Sequence, residues 1–370
     1  MMLGNDKAGD SVYIKAGEND ILIDGGSQTN SFSTTSEYIK KYCKDNKFEF
    51  VIATHGDQDH ISALPKFFEE FEVDTVIDFT SESYDEFSKL GKDKERDHFV
   101  GTTKTTATYG NYLKARDAYA KKHFTAGDCY LNKGEAKRSY KLSDSVTMDI
   151  LYNYYYYDNN NDGKEDSADE NNFSVLTLFT YDNGSPKRFF LGGDLEKEGE
   201  EKFAEYYDSS TKEKTMPTVD LYKAGHHGSK TSSNDCLLDI LQPKICVVCC
   251  CCGTDEYTGV TDNQFPTQEF INRIAKWTDR VYATTIYDSY EILTAEDNGK
   301  GKTNKTGVAI GKEYIHTSWF KAMNGNVIVS AKGVNIGLWA SNNLTKLKDT
   351  EWFNQTVIID GESRKMRTWP

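Results

Sequence analysis

The chain has 370 residues, with 44 Lys and Arg against 58 Asp and Glu and a formal net charge of -14. Its apolar fraction of 37% and its 23 tyrosines can build a hydrophobic core, which excludes a disordered chain. An acidic chain binds nucleic acid only through a local basic region or through metal ions. No apolar run reaches membrane-spanning length and the N-terminus has no secretion signal. We therefore expect a soluble cytoplasmic protein with no membrane contact.

The first part of the chain alternates strand and helix patterns. A polar segment with several His and Asp residues, 54–60, lies between a predicted strand and a predicted helix, where open α/β layers keep their functional sites. Strands are predicted at 11–15, 20–26, 48–54 and 73–77, and helices at 36–45 and 61–70.

Residues 85–145 predict a helical, locally basic insertion, because Lys, Arg, Tyr and Ala recur there at helical spacing. Between 89 and 143 there are 13 Lys and Arg against 6 Asp and Glu, a local balance of +7. The favoured interpretation is a solvated insertion. The alternative is a lobe that contacts phosphate groups beside a metal centre.

Strand patterns return from residue 148 and continue to about 335. Strands are predicted from 148 and at 175–179, 188–194, 219–223, 281–285 and 326–330, with a helix at 196–207. We expect one domain over 1–335 and a C-terminal extension, 336–370, docked on it.

Five cysteines, Cys246 and Cys249 to Cys252, lie in one apolar stretch. Consecutive strand residues point to opposite faces, so these thiols cannot converge as CxxC pairs do. We predict a buried strand of free thiols, with a metal site or disulfides as the less favoured alternative.

The segment from Asp158 to Asp169 resembles the opening of a calcium loop, with Asp158, Asn160, Asp162 and Gly163 at the matching offsets. Its flanks look like strands, and Asp169 stands where a bidentate Glu is expected. A plain surface loop is the favoured interpretation, and Ca²⁺ the less favoured one.

Four candidate metal ligands, His55, Asp57, Asp59 and His60, fall within six residues of a chain that has only seven histidines. In an extended loop His55 and Asp57 face the same way and can bind one ion, while Asp59 and His60 can bind a second. Two ions about 3.5–4 Å apart need a shared ligand. Asp194 suits that role, because it ends an apolar strand after two glycines that allow close backbone approach.

A further imidazole is expected from the pair His226 and His227, which directly follow another strand. The sequence leaves open which of the two binds metal. We assign His226 as the ligand and give His227 a catalytic role beside it. Ser229 and Lys230 could hold a phosphate, although a capped helix start explains them equally well.

The order of these motifs resembles the metallo-β-lactamase superfamily, and most of all the β-lactamase-like domain of ComEC competence proteins and its stand-alone relatives. The matching segments span residues 9–230, with a weaker match to about 333. They are Gly9-Asp10-Ser11, Asp24-Gly25-Gly26, residues 54–60, Asn171 to Ser174, residues 191–194 and Gly225 to Ser229.

This resemblance implies a four-layer αββα sandwich and a metal-activated hydroxide between two divalent ions, and its ComEC-like branch implies phosphodiester cleavage. Carried over by position, His55 and Asp57 bind the first ion, Asp59 and His60 bind the second, and Asp194 bridges. Asp24 orients the cluster from behind. Asp59, Asp194 and His227 are the expected catalytic residues.

The chain departs from the family pattern at three places. Asp57 stands where many members have His, which favours Mn²⁺ or Mg²⁺ over Zn²⁺. No His lies between 124 and 225 to complete the first site, and Asn172 is the nearest substitute. Phe265 stands where ComEC-like domains often have the His of a His-Pro pair. If that His is a general acid in those domains, another group would have to donate the proton in this chain.

Three functions follow from these observations. The favoured one is a metal-dependent phosphodiesterase or nuclease. The second is a hydrolase of a small ester, lactone, thioester or nucleotide on the same fold. The third is a degenerate metal-binding module that acts with a protein partner in a defence or signalling complex. The sequence predicts no oligomeric state.

Overall fold

The structure, a computed structural model, describes residues 1–4, 9–27, 29–90, 106–157, 169–207, 215–297, 299 and 301–370. Two β-sheets pack face to face and helices cover their outer faces. In the first sheet, β1 and β2 are antiparallel, and the remaining neighbours are parallel. Its strands, in spatial order, are β1 (Val12–Ala16), β2 (Asn19–Ile23), β3 (Lys47–Ile52), β4 (Glu72–Asp78) and β5 (Ala120–Thr125).

The second sheet has eight strands that also lie side by side in chain order. Its central strands β9 to β12 are parallel, and antiparallel strands flank them. The strands are β6 (Ser139–Lys141), β7 (Val146–Ile150), β8 (Thr177–Tyr181), β9 (Lys187–Leu191), β10 (Leu221–Lys223), β11 (Ile245–Cys252), β12 (Val281–Thr294) and β13 (Glu313–Ala322).

Helices lie on both sides of the paired sheets. Six of them precede the second sheet in the chain: α1 (Thr29–Ile39), α2 (Gln58–Ile61), α3 (Leu64–Glu70), α4 (Tyr84–Leu90), α5 (Ala107–Tyr119) and α6 (Ala126–Tyr130). Four more are α7 (Lys197–Tyr206), α8 (Asp235–Leu241), α9 (Gln268–Ile274) and α10 (Glu351–Asn354).

Two buried apolar cores hold these layers together. The first joins Val51 of β3, Tyr282 of β12 and Phe67 of α3, so it fills the space between the sheets and beneath the first helices. The second joins Val248 of β11 to Phe203 of α7 and to the side chains of α8 and α9. The layer order is therefore helix, sheet, sheet, helix, which is the predicted αββα sandwich.

The segment 85–145 differs from its predicted form. It contains α4, α5 and α6, but also β5, the edge strand of the first sheet, and β6 of the second. Residues Ala120–Thr125 have no buried apolar alternation, and pairing with β4 is what makes them a strand. The prediction of an exclusively helical insertion is wrong, because part of this segment completes a layer of the sandwich.

The C-terminal residues continue the two cores. The hairpin of β14 (Val327–Lys332) and β15 (Asn335–Ala340) spans the expected boundary at residue 335, so that boundary falls inside β15. A last hairpin, β16 (Thr356–Ile359) and β17 (Glu362–Lys365), follows α10. Trp352, Phe353 and Met366 are buried in the second core.

The cysteine-rich stretch forms β11, in which every residue is buried and the five cysteines are free thiols, as predicted. Cys43, Cys129 and Cys236 are free thiols as well. Residues 158–168 of the calcium-like segment lie outside the described part of the chain. In the described residues, no helix is both long enough and apolar enough to cross a bilayer.

Candidate metal centre

The candidate site lies where parallel strands of both sheets end. Asp24 follows β2 and the segment His55 to His60 follows β3, while Asp194 follows β9 and His227 follows β10. Since β2 is parallel to β3, and β9 to β10, the carboxyl ends of each pair meet at one edge. Facing sheets then bring the two groups of polar side chains together.

Asp59, His60, Asp194 and His227 form one close group, with a ligand atom from each within 4.8 Å of the others. His227 Nε2 lies 2.8 Å from Asp59 Oδ2 and 3.2 Å from Asp194 Oδ2, and His60 Nε2 lies 3.1 Å from the same Asp194 oxygen. Both imidazoles are fully buried and Asp59 is slightly exposed. This group has the composition of a metal site with two carboxylate and two imidazole ligands.

The imidazoles of the site are oriented from the core side through their Nδ1 atoms. His60 Nδ1 lies 2.7 Å from Asp24 Oδ2, His227 Nδ1 lies 2.7 Å from the Cys249 carbonyl oxygen, and His55 Nδ1 lies 3.1 Å from Thr54 Oγ1. The Nε2 atom of His55 is buried with no hydrogen-bond partner. Metal-binding histidines show this pattern, with one nitrogen fixed from behind and the other left for the ion. The residues therefore fit a divalent cation.

The two neighbouring histidines separate because both have a left-handed backbone, with φ of 40° at His226 and 52° at His227. His227 points into the cluster. His226 instead places Nδ1 2.6 Å from Glu196 Oε1, and its side chain is 25% exposed. The assignment of His226 as the metal ligand is thus corrected, since the geometry favours His227.

The expected first ion site is less complete than the second. His55 Nε2 lies 3.9 Å from Asp57 Oδ2, but neither residue belongs to a group of close ligand atoms among the described residues. Asn172, the expected substitute ligand, accepts a hydrogen bond from the Gly199 backbone nitrogen through Oδ1 at 3.1 Å. Its amide oxygen therefore contacts the start of α7, and its role as a third ligand stays a prediction.

Two charged residues of the site received no role from the sequence, namely Asp10 and Lys223. Both are buried, and the Lys223 ammonium contacts Asp10 and donates to Asp194 Oδ1 at 2.8 Å. His226 N donates to the same Asp194 oxygen at 3.1 Å, which leaves Oδ2 for the cluster. Asp10 lies in a motif that carries the resemblance, and Lys223 is a charge at the end of an apolar strand. The motif and the charge at the strand end are therefore sequence features that could have predicted Asp10 and Lys223 as site residues.

The charges of the cluster determine its protonation. Burial opposes ionisation of Asp194, but Lys223, His227 and His60 outweigh it and hold the pKa of Asp194 well below its usual value. Burial and the neighbouring His60 lower the pKa of His55 to about 4, so this imidazole is neutral. Burial opposes protonation of His227, but Asp194, Asp10 and Asp59 raise its pKa to about 10. An incoming cation would therefore have to displace a proton from His227.

Tyr257 and Phe265 form the wall of the cluster beside His227. The Tyr257 hydroxyl donates to Asp59 Oδ2 at 2.8 Å, and the ring lies nearly parallel to the His227 imidazole, at 11° and with 6.4 Å between centroids. Phe265 contacts both rings, with centroids 5.4 Å from Tyr257 and 6.0 Å from His227. No sequence motif indicated Tyr257.

The two weakly predicted phosphate-binding residues are engaged within the protein. Ser229 Oγ lies 2.8 Å from Thr231 Oγ1, and Lys230 Nζ donates to Asn263 Oδ1 at 2.8 Å. The following helix, α8, begins after Asn234, so these residues belong to a loop and do not cap a helix.

Most of the described basic residues of the segment 89–143 are paired with acids. Arg116 is buried against Asp78 at 2.9 Å. Further pairs at 2.6–3.0 Å are Lys121–Asp74, Lys122–Glu135, Lys133–Asp128 and Lys141–Asp144. The surface is therefore less basic than the residue count predicts.

The chain is similar to several known proteins. Residues 4–140 match the family model of the metallo-β-lactamase superfamily. ComE operon protein 3 of Bacillus subtilis is 36% identical over 83 residues, which are 22% of this chain and only 9% of that protein.

Solved structures also match, at low identity. The metallo-β-lactamase fold protein YhfI from Bacillus subtilis is 12% identical, with 77% of this chain and 94% of that chain covered and a TM-score of 0.38. The subclass B3 metallo-β-lactamase MEM-A1, from a soil metagenome library, is 14% identical, with coverages of 52% and 61% and a TM-score of 0.30.

The family match covers the first sheet and the motif from His55 to His60, and the layers of the structure are those of an α/β sandwich. The resemblance to the metallo-β-lactamase superfamily that the sequence predicts is confirmed over residues 4–140, and the described residues include a group of candidate metal ligands.

Proposed function

We propose that this chain is a metal-dependent phosphodiesterase that cleaves nucleic acid. The observation that carries the proposal is the buried group of Asp59, His60, Asp194 and His227, in which half of the candidate ligands are carboxylates. Oxygen-rich ligand sets favour hard ions such as Mn²⁺ and Mg²⁺, which are common partners of phosphate substrates.

These four residues would hold the tighter ion, with Asp194 Oδ2 as the shared ligand and His55 and Asp57 holding a second ion more weakly. A divalent ion in such a set supplies Lewis-acid chemistry for hydrolysis. The protein supplies the orientation: Asp24 fixes the His60 ring, and Lys223 fixes the Asp194 carboxylate. Removal of either support would loosen the ligands without removing them.

A cleft beside the metal-binding loop supports an extended substrate. Its volume is about 720 Å³ and it runs between α2–α3 and α5. Gln58, which lies between Asp57 and Asp59, forms part of its wall, as do Lys66 and Lys114. Its open lining is about half apolar and contains Glu69, which pairs with Lys66 at 2.6 Å. Beside that pair it presents Lys114 and the hydroxyl and amide groups of Ser27, Thr108 and Asn111. These are the groups that contact a phosphodiester backbone without reading its sequence.

A second candidate function is favoured by the incomplete first site. Asn172 accepts a hydrogen bond from Gly199, and a centre that holds one ion would suit a binding module or a hydrolase of small esters. Turnover separates the first of these from the proposal, because a module that only binds metal would cleave no phosphodiester. Hydrolysis of an ester such as p-nitrophenyl acetate, without cleavage of a phosphodiester, would favour the second.

The experiment is a cleavage assay with Mn²⁺, Mg²⁺ or Zn²⁺ on bis(p-nitrophenyl) phosphate and on labelled single- and double-stranded DNA and RNA. We expect cleavage by the wild type with Mn²⁺ and a loss of at least about 100-fold in kcat for Asp59→Asn. Lys332→Glu, an exposed residue of β14, is the control for folding and purification. Equal cleavage by Asp59→Asn, or no cleavage by the wild type, would contradict the proposal.

A further inference from the structure

Tyr257 is the aromatic residue on the solvent side of the candidate metal centre. It follows β11, and its hydroxyl reaches Asp59, which is 198 positions away in the chain. The residue is 45% exposed, whereas His227 and Phe265 beneath it are buried. The exposed Tyr257 ring therefore borders the cluster on a side that solvent reaches.

The Tyr257 hydroxyl has one proton to donate, and in the substrate-free protein it donates this proton to Asp59 Oδ2. The same oxygen lies 2.8 Å from His227 Nε2. The hydroxyl thus reaches the ligand atoms themselves, and a phosphoryl oxygen bound beside Asp59 would lie within its range.

Two other strong donors near the cluster are directed elsewhere. Lys223 lies beneath it and donates to the Gly193 carbonyl oxygen and to Asp194 Oδ1. The His226 ring is bound to Glu196. Tyr257 instead contacts the cluster and is also exposed to solvent. A group that contacts both a bound ion and a substrate needs these two properties.

Phe265 is the other aromatic residue of this wall, and its side chain can donate no hydrogen bond. Its ring packs against Tyr257 and His227, with centroids 5.4 and 6.0 Å away. Of the two aromatic residues of the wall, Tyr257 therefore supplies the donor.

We propose that Tyr257 is a catalytic residue whose hydroxyl donates a hydrogen bond to a phosphoryl oxygen of the substrate. This inference rests on the proposed phosphodiesterase function. To do so, the hydroxyl exchanges Asp59 Oδ2 for the phosphoryl oxygen. As negative charge grows on the phosphoryl oxygens during hydrolysis, this hydrogen bond stabilises the transition state more than the ground state.

The test compares Tyr257→Phe with Tyr290→Phe in the Mn²⁺-loaded protein. Tyr257→Phe keeps the ring and removes only the hydroxyl. Tyr290 lies on β12 and its hydroxyl accepts a hydrogen bond from Gln355, away from the centre, so it serves as the matched control. Three quantities are measured: bound metal per chain, the dissociation constant of inorganic phosphate by calorimetry, and kcat and KM for bis(p-nitrophenyl) phosphate.

For Tyr257→Phe we expect unchanged metal content, phosphate binding weaker by about tenfold and kcat lower by on the order of 10- to 100-fold, with a smaller change in KM. Tyr290→Phe should match the wild type in all three. Changes of less than about twofold in phosphate affinity and kcat would overturn the inference. A parallel loss of metal would also overturn it, because the hydroxyl would then act only by holding Asp59.

Failure of the proposed function gives a different result. If the wild type hydrolyses no phosphodiester, the phosphate titration still decides the role of Tyr257. Weaker phosphate binding by Tyr257→Phe then supports the contact, and equal binding, or no binding by the wild type, contradicts it.

Discussion

At the scale of single residues, the direction that each side chain takes from a strand end decides whether it joins the candidate metal centre. The cluster from His55 to His60 and the acid at Asp194 are adjacent to strand ends, and the strand pattern placed them together. His226 and His227 could not be distinguished, because their side-chain directions depend on two consecutive left-handed backbone conformations that no local pattern signals. Tyr257 was missed for a related reason, since its loop has no regular structure.

Substitution of the two histidines tests the corrected assignment. We expect His227→Ala to weaken binding of Mn²⁺ by at least about 100-fold, because Nε2 of His227 lies within 3.2 Å of both Asp59 and Asp194. His226→Ala removes side-chain contacts with Glu196, Thr231 and Phe265, none of which is a candidate ligand, and should change the affinity by less than about tenfold. Metal affinity is measured by titration of the metal-free proteins. The reverse order of the two effects would restore His226 as the ligand.

At the scale of elements, the fold was predictable where apolar patterns are strong. β10 and β11 are fully buried, β4 is largely buried and β3 is half-buried, and all four were predicted from their composition. β5 was not, because its two lysines are exposed and its strand form depends on pairing with β4, which is distant in sequence. The same dependence on distant partners holds for the loop before α8, which α7 supports.

Glu200 of α7 is the residue that connects this helix to the loop. Its buried carboxylate accepts hydrogen bonds from the backbone nitrogens of Ser233, at 2.6 Å, and Asn234, at 2.8 Å. Burial outweighs these bonds and raises the pKa of Glu200 from 4.5 to about 7. Between these two values the folded state keeps a proton that the unfolded chain has lost, so stability falls as pH rises.

We therefore expect the free energy of unfolding to fall as the pH is raised from about 5 to about 8, with a contribution of about 3 kcal/mol from Glu200. Glu200→Gln cannot ionise and should lack this contribution. Urea unfolding at both pH values measures it. Glu201→Gln, whose parent side chain is about half exposed, is the control and should follow the wild type. A decline in Glu200→Gln as steep as that of the wild type would contradict this account.

At the scale of the whole molecule, the C-terminal residues support the candidate site from behind. Arg367 is buried and donates to the carbonyl oxygens of Pro266, at 2.8 Å, and Gln264, at 2.5 Å. These carbonyls flank Phe265, which contacts His227 and Tyr257. The sequence predicted a docked extension but not this connection, because a single Arg in a polar tail gives no indication of its partners.

Arg367→Met tests whether the tail and the site are connected. The substitution leaves buried carbonyl oxygens without their donor, so we expect a loss of about 2–4 kcal/mol in the free energy of unfolding. Because the loop of Phe265 would also loosen, kcat for the proposed phosphodiester substrate should fall while metal content stays constant. Arg364→Met is the matched control, since Arg364 is 40% exposed and pairs with Asp262, an interaction worth less than about 1 kcal/mol. Equal effects of the two substitutions, or a loss of stability in Arg367→Met without any change in kcat, would show that the tail stabilises the fold but does not position the site.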